Sequence, residues 1–201
     1  MKINSVPSHM NPKILKMDFI AKNIDKYCNK HTTEECDVLK ELNHKTHTNI
    51  LNPRMISGNF QGQFLTMLSK TAKPKCILEI GTYTGYSAIC LAKGLPVDGV
   101  LHTIEINEEL EEMNAHYFDK SGFKHQIVQH IGDANNIIPD LDIKIDLAFI
   151  DADKKNYLNY FDLIIEKVNP GGPGWSRFPL SETVDPWPIP KGIVMMLLGS
   201  I

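Results

Sequence analysis

The sequence lacks most of the features that would take it out of the ordinary globular class. No run of 18 apolar residues occurs among its 201, so no membrane-spanning helix is expected. The opening stretch, Met1 to Asn11, holds no apolar core of signal-peptide length. Lysine and arginine number 21 against 24 aspartates and glutamates, and the formal charge of −3 leaves no basic footprint for a nucleic acid. None of the four cysteines (Cys28, Cys36, Cys76, Cys90) forms a CxxC, and no histidine stands at zinc-finger spacing from a pair. They read as structural thiols of a reducing cytoplasm. What is present, 42% hydrophobic and 22% charged residues, is the balance of a soluble cytoplasmic protein. Its length suits one sizeable core, and a single domain over residues 1–201 is expected.

Three textures follow one another. Residues 12–70 are helix-like: Ile14, Leu15, Met17, Phe19, Ile20, Ile24 and Tyr27 recur at three- and four-residue steps. A second helix is predicted from about Thr33, as its hydroxyl cap, through Leu39 and Leu42. Pro53 interrupts, and a third runs over 60–68 with Phe64, Leu65 and Leu68 inward. Residues 74–172 alternate strand and helix. Strands are expected at 76–80, 100–104, 127–128 and 145–150, with helical stretches at 86–93, 107–121, 137–141 and 157–168. Such repeats with short turns imply an α/β fold, a parallel sheet flanked by helices on both faces. Residues 173–201 break the pattern. Pro173, Pro179, Pro186, Pro188 and Pro190 crowd eighteen residues, and only 193–198 could add an apolar element.

Ligands of a doubly wound sheet bind outside the carboxyl ends of its strands. Glu79-Ile80-Gly81-Thr82-Tyr83-Thr84-Gly85-Tyr86-Ser87 joins the first strand to its helix. Its glycines are spaced GxxxG rather than the GxGxxG that seats a pyrophosphate on a helix N-terminus. With a carboxylate at the strand end, this spacing suits a cofactor with a cationic amino-acid end, although an ordinary βα turn also carries such glycines. Glu105 ends the second strand, 24 residues after Gly81, where an acid can accept both ribose hydroxyls. Its alternative is a solvated carboxylate beside Glu108, Glu109, Glu111 and Glu112. Gly132-Asp133-Ala134 follows the third strand as a turn able to reach an adenine edge. At the fourth strand's end, Asp151 is an oxygen ligand of the kind Mg²⁺ or Ca²⁺ takes. Lys154 could act as a base if a metal and burial lower its pKa. A solvated cluster capping a helix is the alternative for this segment.

In combination these segments acquire specificity. LEIGTYTGYSAICLA (78–92), HTIEINEE (102–109), GDA (132–134) and FIDADKKNYLNY (149–160) resemble the cation-dependent O-methyltransferases of the caffeoyl-CoA and catechol type. The resemblance covers roughly residues 12–172 and extends to the family's cofactor-covering stretch over 53–65. It implies a Rossmann-like S-adenosylmethionine methyltransferase fold, a small hydroxylated aromatic acceptor and a homodimer. By position, Ser57, Glu79, Gly81, Thr82, Gly85, Ser87, Glu105 and Ala134 would line the cofactor. Asp151 would bind a divalent cation, Mg²⁺ by preference, and Lys154 would be the general base. The implied reaction is attack of a metal-held catecholate-like oxygen on the sulfonium methyl.

The resemblance also has a boundary. In the family a fifth strand ends in an Asp-Asn pair that completes the metal site, and no such pair follows Asp153 here. A cofactor-binding module without turnover is therefore a second reading. A nicotinamide-dependent oxidoreductase, which would keep the role of Glu105 but lacks GxGxxG, is a third. The abrupt change at residue 173 suggests a frameshift, an altered gene end or a sequence error, with the C-terminal strands incomplete. Sequencing the encoding DNA decides it: an intact natural frame with no Asp-Asn downstream would dispose of that reading.

Overall fold

A computed structural model describes residues 21–169 and the strand 193–196. Residues 21–31 belong to a unit of their own, and the second begins at Thr32. The first contains α1 (Lys22–His31), whose Tyr27 ring stacks on His31 with centroids 4.1 Å apart. The part of the first predicted helix that precedes residue 21 lies outside the described residues.

The second unit is built on one parallel sheet. Its strands are β1 (Cys76–Ile80), β2 (Val100–Glu105), β3 (Ile127–Ile131), β4 (Leu147–Ile150) and β5 (Ile193–Met196), in the order β3-β2-β1-β4-β5. Helices α2 (Asp37–Asn49), α3 (Gly58–Ala72), α4 (Tyr86–Ala92) and α5 (Glu111–Lys120) accompany α6 (Ala134–Asp140) and α7 (Tyr157–Ile165). Side chains alternate across the pleat, so each strand feeds two cores. Ile77, Leu101, Leu147 and Phe149 join Leu39, Leu42, Leu65 and Ile89 on one face. Leu78, Ile80, Ile104, Ala148 and Ile150 pack with Ile138, Tyr157 and Ile164 on the other. This is the predicted α/β architecture with helices covering both faces. Among the described residues, no helix is long and apolar enough to cross a membrane.

Several local expectations change. Thr33 does not cap α2: the cap position is Cys36, in extended backbone and without a side-chain bond, while the Thr33 carbonyl accepts from Asn59 Nδ2 at 3.0 Å. Phe64 is exposed, not inward. The buried face of α3 is Gly62, Leu65, Thr66 and Ser69. Small and hydroxylated residues let α3 approach α4 closely, with Thr66 Oγ1 donating to the Cys90 carbonyl at 3.0 Å and Ser69 Oγ to that of Leu91 at 2.7 Å. Ile145 precedes β4 and makes an isolated bridge to Val168. The helix predicted at 107–121 opens as a 3-10 turn at Glu108–Leu110, capped by Asn107 Oδ1 accepting from the Glu109 amide. Of the tail, Ile193–Met196 pairs in parallel with β4, within the one stretch expected to form an element. The reading of 173–192 and 197–201 falls outside the described residues.

Cys76 and Cys90 are buried free thiols. Burial pushes the Cys76 thiol up to about 11 and that of Cys90 to about 12.

Candidate functional site

Parallel strands place all their carboxyl ends on one side. Strand order reverses between β1 and β4, where a doubly wound sheet opens a crevice. The turn after β1 begins at Gly81 with φ +97, and a Cβ there would run into the Asp151 carbonyl oxygen at the end of β4. Glycine therefore lets the two strand ends close on each other. The Gly81 and Thr82 amides both donate to the Ile104 carbonyl, at 3.0 and 3.3 Å. The next amide, that of Tyr83, donates to Glu105 Oε2 at 2.7 Å, and Glu105 Oε1 accepts from the Asn107 amide at 2.9 Å. Gly81 and Glu105 thus lie at one edge, tied by main chain.

Tyr83 is the residue on which this edge converges. It adopts left-handed φ +49, its carbonyl accepts from Asn114 Nδ2 at 2.9 Å, and its hydroxyl donates to the Leu51 carbonyl at 3.0 Å. The stretch before α3 is thereby anchored to the glycine turn. Gly85, φ +84, leads into α4, where a Cβ would press on the Phe118 ring. After β3, the Gly132 amide donates to the Glu105 carbonyl at 2.8 Å, bringing buried Ala134 beside the end of β2. Asp133 spends a carboxylate oxygen on capping α6, accepting from the Asn135 amide at 2.9 Å.

Glu79 is the most unusual group. It is completely buried, its Oε2 accepts from Thr103 Oγ1 at 2.5 Å, and its Oε1 has no hydrogen-bond partner. Burial pushes its pKa up to about 7, against the lowering pull of the Ser87 and Thr103 hydroxyls, with Asp151 and Glu105 adding repulsion. Ser87 is buried in the first turn of α4. Ser57 stands half-buried ahead of α3 and makes no capping bond.

At the end of β4, Asp151 is half-buried, and desolvation holds its carboxyl above the usual range. Lys154 is exposed on the 3-10 turn Lys154–Asn156. Asp153 braces that turn: Asn156 Nδ2 and the Tyr160 hydroxyl each donate to its carboxylate at 2.7 Å. The structure thus gathers Glu79, Gly81, Thr82, Gly85, Ser87, Glu105 and Ala134 at adjoining strand ends. Thr103, Tyr83 and Asn114 were given no role by sequence reasoning. Thr103 carried a signal, because it shares with Leu101 and Glu105 the strand parity that faces α4, at the register position opposite Glu79.

The class this defines is a doubly wound α/β protein with a glycine turn and a strand-end acid joined at the carboxyl ends of β1 and β2. A family model described as O-methyltransferase matches residues 29–173. The chain belongs to the O-methyltransferase family, and its fold is the Rossmann-like one of S-adenosylmethionine methyltransferases. It is 39% identical over 144 residues to caffeoyl-CoA O-methyltransferase 2 of Zea mays, matching 69% of this chain and 54% of that protein. A caffeoyl-CoA O-methyltransferase of Medicago sativa is 38% identical over 147 residues, 69% of this chain and 58% of that one. The chain therefore spans between half and two thirds of these relatives' length. Among solved structures, the O-methyltransferase TomG of Streptomyces achromogenes, in complex with SAM, superposes with TM-score 0.70 at 33% identity, covering 74% of this chain and 68% of that one. An O-methyltransferase of Bacillus cereus, in complex with SAH, gives 0.70 at 28% identity, covering 74% and 69%.

Two groups associated with this family can be tested against the residues present. An adenosyl cofactor with a cationic amino-acid end fits: an orphaned carboxylate oxygen lies under the glycine turn, and a second carboxylate ends the neighbouring strand. A divalent cation does not fit the described residues. No three His, Cys, Asp or Glu side chains converge among them, and Asp153 is committed to its turn.

Proposed function

We propose that the chain is an S-adenosylmethionine-dependent O-methyltransferase whose acceptor is a small catechol-like hydroxyl compound. The observation that carries the reading is the 2.7 Å bond from the Tyr83 amide to Glu105, which holds the glycine turn against the strand-end acid. Solved relatives holding SAM and SAH support the same cofactor class. In this reading Glu105 receives the ribose hydroxyls with the lone pairs its two backbone donors leave free. Glu79 supplies negative charge beneath the amino-acid end. Gly81, Thr82, Gly85, Ser87 and Ala134 shape the wall, and Ser57 belongs to the covering stretch. Bound, S-adenosylmethionine supplies an electrophilic sulfonium methyl. Lys154, exposed on the turn after β4, would take the acceptor's proton only once the bound acceptor buries it, and Asp151 stands at the end of the same strand. Were Mg²⁺ to take part, Asp151 would be among the residues that hold it.

Calorimetric titration tests the cofactor: S-adenosylmethionine is expected to bind and NAD is not, whereas NAD binding alone would favour an oxidoreductase. Methyl transfer to a catechol, with and without Mg²⁺ and chelator, tests the reaction. That no three His, Cys, Asp or Glu side chains converge among the described residues favours one rival, a module that binds cofactor without turnover, and binding without transfer would establish it. We also read the protein as a homodimer. Phe60, Phe64 and Met67 are exposed at helical spacing along α3, and sedimentation equilibrium checks the assignment.

A further inference from the structure

Beneath the glycine turn, two hydroxyls and a carboxylate form a line. Thr82 Oγ1 and Thr103 Oγ1 lie 2.5 Å apart, and Thr103 Oγ1 lies 2.5 Å from Glu79 Oε2. All three residues are at most 1% exposed, so no solvent competes for these bonds. A hydroxyl has one proton. When Glu79 is ionised, the Thr103 proton goes to the carboxylate, and the Thr103 oxygen must then accept from Thr82. The order of donation is fixed: Thr82 to Thr103 to Glu79. When Glu79 is neutral and donates from Oε2, the line reverses and Thr82 must find another acceptor. The charge of Glu79 and the orientation of the turn residue Thr82 are therefore linked.

The groups facing Glu79 explain why this line matters. Glu105 from the end of β2 and Asp151 from the end of β4 oppose its charge, while Ser87 and Cys90 of α4 are neutral. No cation from the described residues offsets it. The Thr103 hydroxyl, with the Ser87 hydroxyl on α4, is what favours the anion. We propose that Thr103 is a positioning residue of the cofactor site, holding Glu79 as an oriented anion under the glycine turn so that a cationic ligand meets fixed negative charge. The inference rests on the cofactor reading above and adds to it a residue that touches no ligand.

The test is calorimetric titration of S-adenosylmethionine into wild type, Thr103→Val, Thr103→Ser and Glu79→Gln from pH 6 to pH 9. Wild-type affinity is expected to rise as Glu79 ionises. Thr103→Val, lacking a hydrogen bond to a charged group, should move that midpoint upward by about one to two pH units and weaken binding near pH 7 about tenfold or more. Thr103→Ser should restore both. Glu79→Gln should remove this step and leave only the ligand's own titration, which every variant shares. Unchanged midpoint and affinity in folded Thr103→Val, or equal impairment of the Val and Ser variants, would overturn the proposal. If circular dichroism shows Thr103→Val unfolded, Thr82→Val takes its place. Removing the outer donor should shift the midpoint in the same direction by less, and a wild-type midpoint there would be equally fatal. A folded wild type that ignores S-adenosylmethionine refutes the cofactor reading itself, an outcome distinct from binding with unaltered pH dependence.

Discussion

Glu79 and Gly81 are two residues apart in β1 and its turn, yet the molecule is sensitive to them for opposite reasons. Glu79 ionises at about 7 in the folded chain against an ordinary 4.5, chiefly through burial. An acid whose pKa is raised on folding binds its proton more tightly when folded. Its stabilising contribution is complete below about pH 4.5 and is lost as pH rises through about 7. Glu79→Gln removes that loss. Its melting temperature should exceed wild type at pH 8, with the gap closing toward pH 5, and a gap independent of pH in thermal melts would contradict the account. Gly81 matters through space and backbone. Alanine there would take a left-handed φ and meet the Asp151 carbonyl, so Gly81→Ala should cost about 1–3 kcal/mol in urea unfolding and weaken cofactor binding. Stability within about 0.5 kcal/mol of wild type would show that the β1 and β4 ends can separate freely.

Between elements, α3 packs closely on α4. A Cβ at Gly62 would lie 2.7 Å from a Tyr86 ring carbon and 2.8 Å from Cys90 Sγ. Tyr86 is poorly able to yield, because it is buried and its hydroxyl donates to Glu35. Gly62→Ala should therefore destabilise by about 1–3 kcal/mol despite alanine's better helix propensity. Gly122 is the control. It has φ +80 but open space where a Cβ would go, so Gly122→Ala should show only backbone strain, about 1 kcal/mol. Paired denaturation curves read the contrast, and a Gly62→Ala variant more stable than wild type would mean that the helix contact is looser than described. The same contact is why the face of α3 was misjudged from sequence. Phe64 continues the apolar period, but Gly62, Thr66 and Ser69 carry the packing because two helix backbones lie close together.

At the scale of the whole molecule, the crevice is the product of strand order. Gly132 is tied to Glu105 because β3 pairs with β2, and the Gly81 turn is tied to the end of β2 because β2 pairs with β1. A ligand bridging these ends binds the folded chain alone. S-adenosylmethionine at one hundred times its dissociation constant should therefore raise unfolding stability by about 2.7 kcal/mol. Denaturation with and without cofactor measures it, and no shift at saturation would separate the crevice from the ligand. Much of this was present in the linear order of residues. The apolar run 76–80 ended by glycine and the acid 24 residues after Gly81 were legible because strand periodicity and turn chemistry are local properties. The helix over 157–165 was legible for the same reason. Contacts between distant segments were not. The bond from Thr103 to Glu79 arises only once β1 and β2 pair in register, and the packing face of α3 is set only once α4 lies against it. Burial then sets the charge that a carboxylate carries, because desolvation depends on everything packed around it and on nothing readable from its neighbours in the chain.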